Sequence, residues 1–368
     1  MLSHDDVRIL ASGCLTPFGL VEATHGALLR GDRALTACPV RGRDGGDPVP
    51  LALLPGRALD ETAPPSWLDA VRALAATIPG ENWGSPRRPV LFTSSNFGVG
   101  SLLAFRQGGD RAHLPFSSPM ACVTWLRRAF GWGDSVYIFS HACVSAHLGL
   151  LQASRMLGAG VAEQALVFSF DFLSPFVTGG FHALKILNAG FPAPYADRPE
   201  GAIGLGDGAG FAVLTRDQGD FVLSAQSVFN ELTHFTANKP DGSGFMSCLA
   251  PVATAARGLK LWCKGHGTGT LEAGRLEAAT CARVFPHAPL VGWKGSLGHT
   301  LGSCGLVELA VVIAALRTGR VPGTIGSAPP FFHANVTAEA FAAQAFDGVV
   351  CSSNAFGGAH AAFLLRHV

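Results

Sequence analysis

The sequence predicts an α/β protein made of two similar βα-layered halves, and three observations carry that prediction. The chain has 368 residues, 48% of them hydrophobic and 14% charged, which is ample material for a deep core. Glycine recurs between apolar runs, separating β-like stretches from helical ones, the mark of strands buried on both faces. The order of strands and helices in the second half repeats that of the first without a repeated sequence, as an old structural duplication would. The halves are expected at 1–215 and 216–368, joined as one integrated domain.

The elements follow from local pattern. Residues 41–67, with their Gly, Pro and Asp clusters, read as a long surface connection or a reduced cap. "DSVYIFS" (134–140) is rich in β-branched and aromatic residues and reads as a buried strand. Residues 144–157 place Leu148, Leu151 and Met156 at helical spacing before Gly158 and Gly160 stop the helix. A strand at 164–170, a turn-rich loop and a strand near 210–215 complete the first half. In the second, "LKLWCKG" (259–265) is a strand, 275–284 a helix, "PLVGWKG" (289–295) a strand and 306–318 a helix, before the strands "GVVCSSNAF" and "AHAAFLLRHV". "GLGDGAG" (204–210) precedes a strand and opens no helix, so it reads as a tight turn rather than a dinucleotide fingerprint.

Composition excludes several classes of function. Net charge is +1 with no Lys/Arg cluster, which implies neither a nucleic-acid partner nor an anionic membrane. The apolar "LVELAVVIAAL" (306–316) is too short to span a bilayer and contains Glu308, and the first residues lack the basic and apolar runs of a leader. A cytoplasmic protein without membrane insertion is expected. Nine cysteines with no C-x-x-C pair fit a reducing compartment better than disulfides or a zinc site.

One cysteine stands apart. Cys143 lies where the 134–140 strand gives way to the 144–157 helix, where free N–H groups and the helix dipole favour a thiolate and a developing oxyanion. It has the mechanics of a hydrolase serine elbow without the flanking glycines. Three later segments put polar residues just after apolar runs: "KGHGTGT" with His266, "WKGSLGHTLGSCG" with Lys294 and His299, and "SSNAFGGAH" with Phe356. Each alone is weak among thirteen histidines; their order after a cysteine elbow forms a pattern.

With these motifs the sequence resembles the β-ketoacyl synthase family, the condensing enzymes of fatty acid and polyketide assembly, in its elongating branch. "SGCLTPFG" (12–19) resembles the opening strand and turn, "HAC" the nucleophile motif and "GLGDGAGFAVL" the glycine-rich segment. "HGTGT", "KGSLGH" and "NAFGG" resemble the two histidine motifs and the terminal Phe-Gly-Gly turn. The resemblance implies a thiolase-like fold in five α-β-α-β-α layers and a homodimer or ketosynthase heterodimer. It also implies decarboxylative condensation of an acyl thioester on Cys143 with a malonyl thioester, both delivered by an acyl carrier protein. Phosphopantetheine then arrives on the carrier, and no resident cofactor or metal is expected.

Residue by residue, the resemblance makes Cys143 the nucleophile and His266 and His299 the donors to the malonyl carbonyl. Two N–H groups aimed at an enolate oxygen are worth about 3 kcal/mol each in a dry site. Backbone N–H groups of Cys143 and Phe356 would form the oxyanion hole, Phe356 would gate malonyl access, and Lys294 would pair with Glu308, with Glu277 in support. The chain departs from the family at His141 and Val144 beside the nucleophile, at Leu271 and Gly274, where proline and aspartate are usual, and at Asp207, where glutamate is. It is also short between 31 and 130. The retained Cys–His–His set argues against a thiolase, an initiating synthase or a chain-length factor. The alternative is a non-elongating partner subunit of a ketosynthase heterodimer.

Overall fold

The computed structural model describes residues 6–40, 48–59, 67–234 and 236–368. The main sheet contains β1 (Val7–Thr16), β2 (Val90–Thr93), β3 (Val136–Phe139), β4 (Gln164–Asp171) and β5 (Gly208–Thr215) from the first half. The second half adds β6 (Phe221–Asn230), β7 (Leu261–Lys264), β8 (Leu290–Val291), β9 (Gly348–Ala355) and β10 (Ala359–His367). The first five run in the order β1-β5-β4-β2-β3 and the second in the matching order β6-β10-β9-β7-β8. Orientations match as well. In each half the three outermost strands are parallel and the two inner junctions antiparallel. The halves meet where β1 pairs antiparallel with β6 through Val7–Ile9 and Phe221–Leu223.

The helices covering this framework are α1 (Val21–Arg30), α2 (Trp67–Ala75), α3 (Pro119–Ala129), α4 (Ser145–Gly158), α5 (Ser243–Ala255), α6 (Leu271–Val284) and α7 (Cys304–Thr318). Strand side chains alternate between faces, and the alternation defines three cores. Leu91, Val167, Ala212 and Leu214 face a central core with Val349, Cys351, Phe363 and Leu365, filled by α1, α4 and α7. Their neighbours Val90, Phe92, Leu166 and Phe168 face α2 and α3 on the outside of the first half. Leu261, Cys263, Val350 and Leu364 likewise face α5 and α6. The result is a five-layer α-β-α-β-α thiolase-like arrangement.

Helix α7 explains the long apolar run near the C-terminus. Leu301–Thr318 is long and apolar enough to cross a membrane, yet 78% of it is buried inside the molecule. It is apolar all round because it has sheet or helix on every side.

Several expected elements differ. The 134–140 run is a strand only at Val136–Phe139, and it is half-exposed because it lies at the end of the sheet, with Tyr137 open to solvent. "PLVGWKG" contributes only Leu290–Val291; the chain then turns into a short helix, Lys294–Leu297. The turn-rich loop after residue 170 contains the helix Pro175–Ala183, capped by Ser174. Parts of the 41–67 connection lie outside the described residues, but Val49–Ala52 is a buried strand paired with Leu205–Gly206, not surface. Asp207, beside it, is tied to Arg57 at 2.6 Å and accepts the N–H groups of Leu54 and Leu173. It therefore anchors that segment, although burial pushes its carboxyl pKa up against the pull of Arg57. The nine cysteines are all free.

Candidate active site

The chain leaves β3 and makes a sharp elbow into α4. Ala142 sits at φ +44°, left-handed backbone that a residue with a side chain adopts only under restraint. Ser145 supplies the restraint: its Oγ accepts the His141 N–H at 2.8 Å and donates to the Ala142 carbonyl at 2.7 Å. Cys143 follows immediately, nearly buried at the head of α4.

His299 comes from the other half. Its main chain is pinned to the glycine-rich segment, donating to the Gly204 carbonyl (2.7 Å) and accepting from Gly206 (3.1 Å). A side chain at Gly206 would collide with the Leu297 carbonyl, and one at Gly208 with Thr300. Those glycines let the strand lie directly against the histidine loop. Leu301, held at φ +53°, donates its N–H to His299 Nδ1 at 3.1 Å. Nδ1 is thus an acceptor, and the ring proton sits on Nε2, 2.9 Å from Cys143 Sγ.

His266 ends the approach from β7, its ring edge-on to that of His299 with centroids 4.9 Å apart. Its peptide is clamped on both sides. Glu277 Oε1 accepts the His266 N–H at 2.5 Å, and Lys294 Nζ donates to the His266 carbonyl at 2.7 Å. The same ammonium reaches Glu308 Oε1 at 2.6 Å. The ligand atoms of Cys143, His266 and His299 all lie within 4.8 Å of one another.

Burial sets the protonation of this centre. It pushes the Cys143 thiol well above its usual range, reinforced by Cys304 and opposed by Lys294, so the resting group is a thiol. Both histidines are held far below the ordinary imidazole value, by burial first and then by Lys294. They are neutral donors. The helix-head position of Cys143 favours a thiolate, but here desolvation is the larger effect.

The remaining sequence-derived residues fall around this core. Phe356 tips the β9–β10 hairpin turn, with Gly357 and Gly358 both left-handed, and its ring lies 5.7 Å from that of Phe181. Ala355, beside it, packs in one apolar cluster with Cys143, Val144 and Cys304. His141 turns to Asn230, with Nε2 3.1 Å from Oδ1. At Gly274 a Cβ would stand 3.3 Å from the Phe332 ring, so an aromatic occupies the space where an acid would project.

Sequence reasoning missed three groups. Ser145 braces the elbow. Tyr195 donates its hydroxyl to Glu277 Oε2 at 2.9 Å. Lys264, the last residue of β7, is buried and pairs with the second oxygen of Glu308, so that two ammoniums share one carboxylate. A lysine closing an otherwise apolar strand two residues before His266 was the available signal.

A cysteine sulfur beside two neutral imidazoles in a buried, cation-braced centre suits attack on a thioester followed by stabilisation of an enolate. Residues 222–328 match the family model described as "Beta-ketoacyl synthase, C-terminal domain". The chain is 27% identical over 271 residues to the tetracenomycin polyketide synthase ketoacyl synthase alpha subunit of Streptomyces glaucescens, covering 66% of this chain and 62% of that protein. It is 27% identical over 255 residues to 3-oxoacyl-[acyl-carrier-protein] synthase 2 of Coxiella burnetii, covering 62% and 60%. The matched regions thus span about three-fifths of those relatives. Among solved structures it is similar, at TM-score 0.84 and 17% identity over 99% of each chain, to a chain of a type II polyketide synthase acyl-carrier protein in complex with its ketosynthase. Fold and centre together define a thiolase-fold protein with a Cys–His–His site. The chain is similar in sequence to members of the β-ketoacyl synthase family.

Proposed function

We propose that this chain is an elongating 3-oxoacyl-[acyl-carrier-protein] synthase. The observation that carries the reading is Cys143 Sγ at 2.9 Å from the protonated Nε2 of His299, with His266 beside it. Cys143 attacks the carbonyl of an acyl thioester on a carrier protein. The new S–acyl bond forms as the pantetheine sulfur leaves, and the thiol proton of Cys143 passes to it. A malonyl thioester then loses its carboxylate as carbon dioxide, and the electron pair left on carbon is held as an enolate by the Nε2–H groups of His266 and His299. That carbon attacks the acyl-Cys143 carbonyl, whose oxyanion faces the N–H groups of Cys143 and Phe356. The C–S bond breaks, leaving a cysteine thiolate that takes one proton from solvent water.

Lys294, paired with Glu308, holds the His266 loop, and burial first and then its cation keep both rings neutral. Nothing in this scheme needs a resident cofactor; the phosphopantetheine belongs to the carrier. Relatives from type II polyketide and fatty acid systems support work in a type II fatty acid, polyketide or aryl-polyene pathway of the cytoplasm, as a homodimer or paired with another ketosynthase-like chain.

Intact-protein mass spectrometry tests the assignment. Mixed with a panel of acyl-carrier-protein thioesters, the protein is expected to gain one acyl mass, absent from Cys143→Ala, and to lose it when malonyl-carrier protein yields a product two carbons longer. No adduct from any donor, even with a second ketosynthase chain added, would instead favour a non-elongating partner subunit.

A further inference from the structure

In the scheme above Glu277 serves only to hold the His266 backbone, but its carboxylate also ends a chain of buried side chains. Asn354 Nδ2 donates to Glu277 Oε1 at 3.2 Å, and Asn354 Oδ1 lies 2.7 Å from His360 Nδ1. His360 Nε2 in turn lies 2.9 Å from Glu231 Oε1. Glu231 and His360 are 8% and 0% exposed.

Three of the four members of this chain, Asn354, His360 and Glu231, attach to the turn that carries Phe356. Asn354 and His360 stand on opposite strands of the hairpin, a directly paired position just below the turn, so their contact closes its base. Glu231 donates its backbone N–H to the Gly358 carbonyl at 2.9 Å, and its Oε2 accepts the Lys239 N–H at 2.6 Å. A Cβ at Gly358 would stand 2.7 Å from the Glu231 Cβ, so glycine there makes room for this carboxylate. At the far end Glu277 accepts the N–H groups of both His266 and Gly267.

We propose that His360 is a positioning residue that couples the Phe356 turn to the His266 loop, so that the two move as one unit. The inference rests on the roles given above to Phe356 and His266. Removing the imidazole leaves Glu231 without its ring partner in a dry site and frees Asn354 from the hairpin base, a loss felt along the whole network. A turn displaced by an arriving acyl group would carry Asn354 with it, and through Glu277 shift the N–H clamp on His266.

Hydrogen exchange read by mass spectrometry on the full-length protein tests this without relying on turnover. In His360→Ala, amides of 265–268 and of 354–360 are expected to exchange about tenfold faster together, while those of α7 keep wild-type protection. Malonyl-carrier-protein decarboxylation should fall by a similar factor with alkylation of Cys143 unchanged, and added imidazole should restore both exchange and decarboxylation. Faster exchange at 354–360 with wild-type protection at 265–268 would overturn the coupling. If His360→Ala does not fold, Glu231→Gln carries the same comparison. Coupled exchange in a protein that is never acylated would sink the condensing reading and leave the coupling standing; independent exchange in an active enzyme would do the reverse.

Discussion

At the scale of single residues, the main consequence of burial is that Cys143 rests as a thiol. Only the thiolate is alkylated, so below the thiol pKa the rate follows the thiolate fraction. Iodoacetamide should modify Cys143 about tenfold faster for each pH unit between about pH 7 and about pH 9.5. A plateau near neutrality would mean that Lys294 and the helix head outweigh desolvation. Lys264 gives a second prediction. Burial, then the neighbouring Lys294, lowers its pKa to about 7. An unfolded lysine keeps its proton to about pH 10.4, so between these values the unfolded state binds more protons and stability rises with pH. Below about 7 the buried second ammonium is a liability. Lys264→Met should therefore raise Tm by about 2 °C or more at pH 6, with a smaller gain at pH 9; a loss at pH 6 would show that Glu308 needs both cations. Cys143, His266, His299 and Lys294 were legible because each sits in a short motif, and Glu308 only through the resemblance that pairs it with Lys294. Lys264 and Ser145 were not, since only the folded chain shows that one carboxylate is shared and one backbone kink is braced.

Elements explain why those residues meet. The elbow, the 94–96 loop and the His299 loop converge on Gly302, where a Cβ would lie 2.6 Å from Ser95 N, 2.9 Å from Asp171 Oδ2 and 3.1 Å from the Ala142 carbonyl. Two of those atoms are backbone, so the clash has no flexible side chain to relieve it. Gly302→Ala is expected to destabilise the protein by about 1–3 kcal/mol and to slow Cys143 acylation more than it lowers Tm, measured by denaturant melts beside intact mass. Wild-type acylation in this variant would mean that the elbow and histidine loop adjust independently. The same crowding shows what sequence pattern can and cannot say. The strands at 164–171 and 208–215 and the helix at 304–318 were legible because long apolar periodicity forced them. The helix Pro175–Ala183 carried a start signal, Ser174 then Pro175, but its Gly179–Gly180 pair reads as a break. The strand at 289–295 reads as too long because Gly292 packs against Tyr195 and Trp293 is buried in the central core at the start of the Lys294–Leu297 helix rather than in a ladder.

For the whole molecule the governing fact is the repeated strand order, which sequence suggested as repeated alternation but did not resolve into register. The β1–β6 pairing fuses the halves, and α4 and α7 lie back to back between them, each leading from a loop of the Cys–His–His centre. Cys143 from one half and the histidines from the other thus share a single buried interface. What the alternation could not show is which strands are edges. Strand β3, whose C-terminal end leads directly to Cys143, is the last in its sheet and has Tyr137 41% exposed, with Val136, Ile138 and Phe139 partly so. An apolar edge of this kind is an aggregation hazard unless another strand covers it. In the dimer proposed above, an antiparallel strand from the equivalent edge of a second chain would cover it, an arrangement that closes under twofold symmetry. Light scattering on the purified protein should report a dimer, alone or with a second ketosynthase chain. Ile138→Pro removes one N–H from the edge and bends it, and is expected to weaken association by about tenfold or more while circular dichroism stays native. Because β3 feeds the elbow, the freed edge should also slow acylation of Cys143. A monomeric Ile138→Pro protein acylated at the wild-type rate would separate assembly from catalysis.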